Sequence, residues 1–263
     1  MNGRVLIVAG SDSGGGAGIQ ADIKTVTALK AYAATAITAL TAQNTLGITD
    51  MLPVPADFVR RQMAAVLGDI GADCVKTGML HDGAIIAAVA DCLAEMAPAT
   101  PLVVDPVLAS TSGTRLLDRE ALDLLKERLI ARATVLTPNI PEAEALLGRR
   151  IANGAAMVEA AQELAGLGAS CIVLKGGHLP GSPVRDVVFE RGEVHLLESP
   201  RVETRHTHGT GCTLASGIAA GIAQGMTLRA AIERAHDFVQ RAVAGAPGFG
   251  RGKGPLDHAH GMG

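Results

Sequence analysis

The chain has 263 residues and a net charge of −3 at pH 7, and it is 48% hydrophobic, 19% charged and 2% aromatic. Nucleic-acid binding favours a basic excess or aromatic side chains on which bases stack, and this composition offers neither. No run of about 18 apolar residues could cross a membrane, and the four cysteines form no CxxC pair of the kind found in zinc sites. We therefore expect a soluble, cytoplasmic protein that binds neither nucleic acid nor membranes.

Short apolar runs alternate with longer helical patterns along the chain. The predicted strands are Arg4–Ala9, Ala33–Leu40, Cys74–Lys76, Leu102–Asp105, Thr134–Leu136 and Cys171–Leu174. The predicted helices are Ala21–Lys30, Ala56–Leu67, Gly83–Met96, Arg119–Ala131, Pro141–Leu147, Ala155–Leu167, Cys212–Gln224 and Leu228–Ala244. Strands that are apolar throughout are typical of a parallel sheet covered on both faces. The order therefore predicts an α/β fold, with a mostly parallel central sheet and helices on both faces.

One pair of runs departs from this alternation. Val184–Phe189 and Val194–Leu197 flank a short polar turn, which predicts a small antiparallel hairpin at the edge of the sheet. No stretch has the composition of a linker, so we expect residues 1–263 to form a single domain, with an irregular tail over residues 245–263. Ligands of such sheets bind beyond the carboxyl ends of the strands. The residues that follow each strand are therefore the candidates for chemistry.

A glycine-rich loop follows the first strand. Residues 10–18 contain five glycines, which let the backbone approach a ligand closely. The loop is not a Walker A motif, because Ile19 stands where that motif has lysine. The alternative is a flexible turn between a strand and a helix.

A second small-residue segment opens a predicted helix. Gly209, Thr210 and Gly211 would leave backbone amides free at the helix start, which makes an anion site. Cys212 follows them, and the helix start would lower the pKa of its thiol enough for it to act as a base. The alternative for Cys212 is a small buried residue that packs the helix start.

Polar residues follow three other strands. Asn139 and Glu142 are three residues apart and would supply oxygen ligands for Mg²⁺. Lys175 could reach a nucleotide phosphate, and Asp105 offers another carboxylate. Each has an alternative without a role in binding. Asn139 and Glu142 could cap a helix, Lys175 could be a surface lysine, and Asp105 could form an Asx turn.

Two residues offer contacts to a flat heterocycle. Gln43, taken to lie in a loop after the second strand, has both a donor and an acceptor for the edge of a ring. Met79 would form an apolar floor under it. The alternatives are a polar loop residue and ordinary core filling.

Together these segments resemble the ribokinase-type kinases, and among them the hydroxymethylpyrimidine/phosphomethylpyrimidine kinases of thiamin biosynthesis. The resembling stretches are AGSDSGGGAGIQADIKT (9–25), ITALTAQNTLG (37–47), VKTGML (75–80), VVDPV (103–107), LTPNIPEAEALL (136–147), VLKGGH (173–178) and THGTGCTLASGIAAG (207–221). They run in the order of the family and span most of the chain. The resemblance implies a ribokinase-like fold.

The resemblance also implies substrate contacts. Gln43 would hydrogen-bond an aminopyrimidine ring. The pocket around the ring would be lined by Gly10, Ala17, Met79 and Val107, and Asp22 would lie near it. Two departures from the family pattern could alter how a substrate loop closes. Arg251 and Lys253 stand where the family pattern has histidines, and Gly14 stands where it has a hydroxyl residue.

For the phosphate side, the resemblance implies an anion hole and a metal. The anion hole would be formed by Gly209, Thr210 and Gly211, and Cys212 would be the candidate base. ATP would contact Lys175, Thr210 and Asn139, and Mg²⁺ would be organised by Asn139, Glu142 and Asp105. Because the transition state of phosphoryl transfer is loose, we expect the anion hole, Mg²⁺ and Lys175 to matter more than Cys212.

The expected activity is the ATP-dependent phosphorylation of 4-amino-5-hydroxymethyl-2-methylpyrimidine and then of its monophosphate. A pyridoxal kinase of the same fold is the main alternative, since its substrate is also a flat heterocycle with a hydroxymethyl group. A non-catalytic heterocycle-binding regulatory protein is the second. The resemblance further suggests a homodimer.

Overall fold

The computed structural model of the chain describes residues 2–108, 117 and 119–260. Within these ranges one nine-stranded sheet has the order β3-β2-β1-β4-β5-β6-β7-β8-β9. Its strands are β1 (Arg4–Asp12), β2 (Tyr32–Asn44), β3 (Gly47–Pro53), β4 (Cys74–Thr77), β5 (Leu102–Val104), β6 (Val135–Leu136), β7 (Cys171–Leu174), β8 (Val184–Glu190) and β9 (Glu193–Ser199). The helices are α1 (Gly18–Ala28), α2 (Ala56–Asp69), α3 (Gly83–Met96), α4 (Arg119–Arg128), α5 (Ile140–Leu147), α6 (Gly154–Ala165), α7 (Thr210–Ala223) and α8 (Leu228–Ala244).

The predicted α/β class is confirmed. Six neighbouring strands of the sheet, in the order β2, β1, β4, β5, β6 and β7, pair in parallel. The hairpin of β8 and β9 is antiparallel and lies at one edge. Strand β3, which was not predicted, adds an antiparallel strand at the other edge. Of the described helices, none is long and apolar enough to span a membrane. The described part of the predicted tail, residues 245–260, continues beyond α8 in turns.

Strand β2 is longer than predicted and changes the setting of Gln43. The strand runs on to Asn44, and Gln43 pairs with Ile48 of β3. The prediction that Gln43 lies in a loop after the strand is therefore wrong. The pairing with β3 stiffens the backbone here, because ladder hydrogen bonds replace the freedom of a loop.

Successive residues of the central strands point to opposite faces and build two apolar layers. Leu6 and Val8 of β1 pack in the layer under α2 to α6. Val5 and Ile7 pack in the layer under α1, α7 and α8. Both faces of β1 are thus buried, as its unbroken apolar sequence indicates.

A buried ion pair joins the sheet to the second layer of helices. Lys76 on β4 and Asp22 on α1 are both fully buried, and the Lys76 Nζ lies 2.8 and 2.9 Å from the two Asp22 oxygens. The Ser216 hydroxyl of α7 donates to the same carboxylate at 2.7 Å. One carboxylate therefore ties together β4, α1 and α7, and fixes the start of α7 relative to the strand ends.

We expect Lys76→Met to lower the free energy of unfolding by about 3–5 kcal/mol, because it leaves the Asp22 carboxylate buried without its counter-charge. The double variant Asp22→Leu/Lys76→Met removes both charges and should recover most of that loss. Urea unfolding of the three proteins measures both effects. A double variant no more stable than Lys76→Met would show that unpaired charge is not the cause.

Candidate active site

The carboxyl ends of the parallel strands and the start of α7 enclose one large cavity of about 840 Å³. Several predicted site residues line it together. They are Gly10, Ala17, Gln43, Met79, Asp105, Val107, Asn139, Glu142, Lys175, Gly209, Thr210, Gly211 and Cys212. Asp22 is the exception: it is fully buried behind this wall, with its carboxylate turned to Lys76 and Ser216.

The start of α7 has the backbone geometry of an anion site. Gly209 adopts φ +90°, and a Cβ at this position would lie 1.9 Å from the carbonyl oxygen of Gly16. Only glycine fits both the left-handed conformation and this close approach. The N-cap residue Gly209 has no side chain to cap the first amides of α7. Residues 209–212 line the cavity, where the helix dipole favours negative charge.

Lys175 and Asp105 lie directly beside this helix start. A Cβ added at Gly211 would be 3.1 Å from the Lys175 Nζ and 3.6 Å from an Asp105 oxygen. The Lys175 Nζ itself lies 3.1 Å from Asp105 Oδ1, which also accepts from Thr137. The structure thus places an ammonium group and an amide-rich helix start at the same end of the cavity.

Glu142 adds a second carboxylate near that ammonium. Its Oε2 lies 4.0 Å from the Lys175 Nζ. Burial raises the pKa of Glu142 to about 7, against the lowering effect of Lys175 and with a further rise from Asp105. Two carboxylates therefore share one ammonium, and the site gains stability when another positive charge neutralises them.

Asn139 and Glu142 also form the capping box of α5. The Asn139 side-chain oxygen accepts from the backbone amide of Glu142 at 2.9 Å. The Glu142 carboxylate accepts from the backbone amide of Asn139 at 2.8 Å. These contacts are those of helix capping, which the sequence offered as the alternative to Mg²⁺ binding for this pair. Within the described ranges, no group of three or more His, Cys, Asp or Glu side chains could hold a metal ion, so the Mg²⁺ assignment stays a prediction.

Cys212 has a pKa opposite to the expected one. Burial raises the pKa of its thiol to about 12, although the nearby Lys76 ammonium acts in the lowering direction. The predicted lowering by the helix start is therefore wrong, because removal of the thiolate from water outweighs the dipole. At neutral pH the thiol therefore stays protonated, and little thiolate is present to act as a base.

The sequence reasoning missed Asp12 and His208. Asp12 is buried, and its carboxylate accepts from the amides of Gly14, Gly16 and Ala17, which holds the glycine-rich loop in place. His208 also contacts it, from the segment that leads into α7. The sequence could have indicated the role of Asp12, since an aspartate before a run of glycines is typical of an Asx turn. No sequence pattern indicates that Asp12 contacts His208.

The end of the cavity beside β1 and β2 is apolar on one side and polar on the other. A Cβ added at Gly10 would lie 2.2 Å from the Met79 Cε, so the methionine packs on bare backbone. Gln43 faces the cavity from β2, beside His208. This arrangement offers a flat ring an apolar surface and an edge with a donor and an acceptor.

The family described as phosphomethylpyrimidine kinase matches residues 12–257. The chain belongs to this family. It is therefore a kinase, and the alternative of a non-catalytic regulatory protein is set aside. The matched range includes residues 12–18 of the glycine-rich loop, Lys175 and the start of α7.

Two relatives and one solved structure place the chain more closely. It is 50% identical to the thiamine biosynthesis bifunctional protein ThiED of Geobacter sulfurreducens, over 97% of this chain and 52% of that protein. It is 44% identical to the hydroxymethylpyrimidine/phosphomethylpyrimidine kinase of Streptomyces coelicolor, over 98% and 95% of the two chains. An ADP complex of Bacillus subtilis pyridoxal kinase has a TM-score of 0.90 at 35% identity and covers 98% of both chains. The chain thus spans about half of the bifunctional relative and nearly all of the Streptomyces kinase.

Gly211→Val should reduce the single-turnover rate of phosphoryl transfer by about 100-fold or more, because its side chain would enter the space between α7 and Lys175. Gly154→Val, at the start of α6, is the matched control, since a Cβ there meets nothing within 4 Å. Equal rates for the two variants would show that the start of α7 does not hold the transferred group.

Cys212→Ala should retain a measurable rate, well above that of Gly211→Val. The raised pKa leaves little thiolate at neutral pH, and a loose transition state needs little help from a base. The same single-turnover measurement decides: a Cys212→Ala rate below that of Gly211→Val would make the thiol the more important group.

Proposed function

We propose that this kinase transfers the γ-phosphoryl group of ATP to 4-amino-5-hydroxymethyl-2-methylpyrimidine, and then phosphorylates the resulting monophosphate. The proposal rests on one observation: Gln43, Lys175 and the start of α7 all line the same cavity. A ring held at one end would present its hydroxymethyl group to a phosphate held at the other. Similarity to the kinase of Streptomyces coelicolor supports this substrate.

The chain's own groups suit the charge changes of the reaction. The hydroxymethyl oxygen bonds to the γ-phosphorus as the bond between that phosphorus and the β–γ bridging oxygen breaks. ADP leaves with the bridging oxygen, and the hydroxyl proton passes to water. Negative charge spreads over the oxygens of the transferred group. The amides of Gly211 and Cys212 and the ammonium of Lys175 would stabilise that charge without rearranging, because the fold already holds them there.

Asp105 and Glu142 fit a divalent cation by the chemistry of their donors. They approach a single ammonium at 3.1 and 4.0 Å, and carboxylate oxygens with water are the ligands that Mg²⁺ prefers. We infer that they hold Mg²⁺, with the Asn139 amide oxygen nearby. When bound, Mg²⁺ neutralises charge on the phosphates of ATP.

Product analysis by mass tests the function. With ATP, Mg²⁺ and the hydroxymethylpyrimidine, we expect a product carrying two added phosphates, because the monophosphate is also a substrate. Pyridoxal under the same conditions should give a lower kcat/KM. A higher value for pyridoxal would favour the alternative suggested by the similarity to Bacillus subtilis pyridoxal kinase.

We also propose that the chain forms a homodimer through the β2–β3 edge of the sheet. Leu40 and Leu52 are a cross-strand pair on this edge and are 44% and 65% exposed, and Leu46 at the turn is 58% exposed. A second copy of the same edge would cover these side chains. Sedimentation of the wild type should give twice the chain mass, and Leu52→Lys should shift it towards the monomer.

A further inference from the structure

His208 lines the cavity beside Gln43 and lies two residues before the start of α7. Its ring is buried, with 7% of the residue exposed. Its Nε2 lies 2.9 Å from Asp12 Oδ2 and 3.3 Å from the side-chain amide of Gln43. One imidazole nitrogen therefore contacts both the residue that holds the glycine-rich loop and the residue that faces the substrate ring.

Asp12 determines which atom carries the hydrogen in this contact. Burial raises the pKa of Asp12, but hydrogen bonds from His208 and from the Ala17 amide outweigh it, so the pKa lies below its ordinary value. An ionised carboxylate only accepts hydrogen bonds. His208 Nε2 is therefore the donor.

That hydrogen in turn determines how the Gln43 amide is oriented. As placed, Gln43 Nε2 is the atom nearest to His208, which would set two donors against each other. A half-turn of the amide about its terminal bond exchanges nitrogen and oxygen and moves nothing else. The oxygen then lies beside the Nε2 hydrogen of His208 and shares it with Asp12 Oδ2 as a second acceptor, and the NH2 group lies toward Thr41.

Thr41 independently requires the same orientation. Its hydroxyl has a single hydrogen, and it lies 2.8 Å from the carbonyl oxygen of Ser11, an acceptor only. The hydroxyl oxygen therefore accepts from the Gln43 side chain, 3.1 Å away. Only the turned amide, with its NH2 group toward Thr41, satisfies Thr41 and His208 together.

We propose that His208 is a positioning residue that fixes the donor–acceptor order of the Gln43 amide, and through it the direction in which the substrate ring lies. The inference rests on the proposed function. In the hydroxymethylpyrimidine, the ring nitrogen N3, the 4-amino group and the 5-hydroxymethyl group follow one another around the ring. The Gln43 NH2 group would donate to N3 on the Thr41 side, and its oxygen would accept from the amino group on the His208 side.

This order directs the hydroxymethyl group, which is the group that reacts, to the end of the cavity at α7. The hydroxymethyl group lies beyond the amino group, on the side where His208 leads into Gly209 and α7. The reversed amide would turn the same ring around and point the hydroxymethyl group away from α7. His208 thus acts on the reaction through Gln43 without touching the reacting atoms.

The first experiment compares His208→Leu, which removes the donor, with His208→Gln, which can return an N–H to the same place. His208→Leu should raise the KM for the hydroxymethylpyrimidine about tenfold, while the KM for ATP stays within about twofold. His208→Gln should restore most of the affinity. His195→Ala, on the β8–β9 hairpin, is the control and should match the wild type.

A general loss of structure would instead raise both KM values and would not be restored by His208→Gln, and either result would overturn the proposal. Failure of the wild type to phosphorylate the pyrimidine at all would overturn the proposed function itself. The two failures are therefore distinguishable.

The second experiment asks whether His208 acts through Gln43. In a Gln43→Met background, His208→Leu should change the KM for the pyrimidine by less than about twofold, because the amide that His208 orients is gone. A further tenfold rise in that background would show that His208 acts independently of Gln43 and would overturn the proposal. Thermal unfolding of each variant confirms that the compared proteins are folded.

Discussion

The site depends on one close approach of backbone to backbone. Gly209 meets the carbonyl oxygen of Gly16 at a distance that admits no side chain. This contact brings the glycine-rich loop after β1 against the start of α7, although the two are far apart in sequence. Because both segments lack side chains at the contact, they can line one cavity together.

Two groups of buried charges differ in how completely they are neutralised. Lys76 and Asp22 are fully buried and neutralise each other while holding α7 in place. Lys175 meets Asp105 and Glu142 beside the start of α7, where two carboxyl groups face one ammonium. A pair that is satisfied fixes the scaffold, whereas a cluster with excess negative charge has a reason to bind a cation. The fold thus contains one charge pair that is satisfied and one cluster in which a carboxyl group lacks a counter-charge of its own.

Much of the fold was predictable because it rests on local patterns. The apolar strands β1, β4, β5 and β7 were recognised from their composition, since strands buried on both faces have no polar alternation. The antiparallel strand β3 was missed, because Gly47–Pro53 contains charged and exposed residues and lies at an edge. That miss also placed Gln43 in a loop, whereas it is a strand residue held by its pairing with β3.

By itself, the sequence determined the fold class, the family motifs and the residue types that meet at the strand ends. These follow from periodicity and from short segments whose chemistry is local. Only the tertiary structure decided what depends on partners distant in the chain: that Asp22 faces Lys76 rather than the cavity, that His208 joins Asp12 to Gln43, and that burial raises the pKa of Cys212. Hydrogen bonds and desolvation depend on what surrounds a group in space, and a residue's neighbours in sequence do not specify those surroundings.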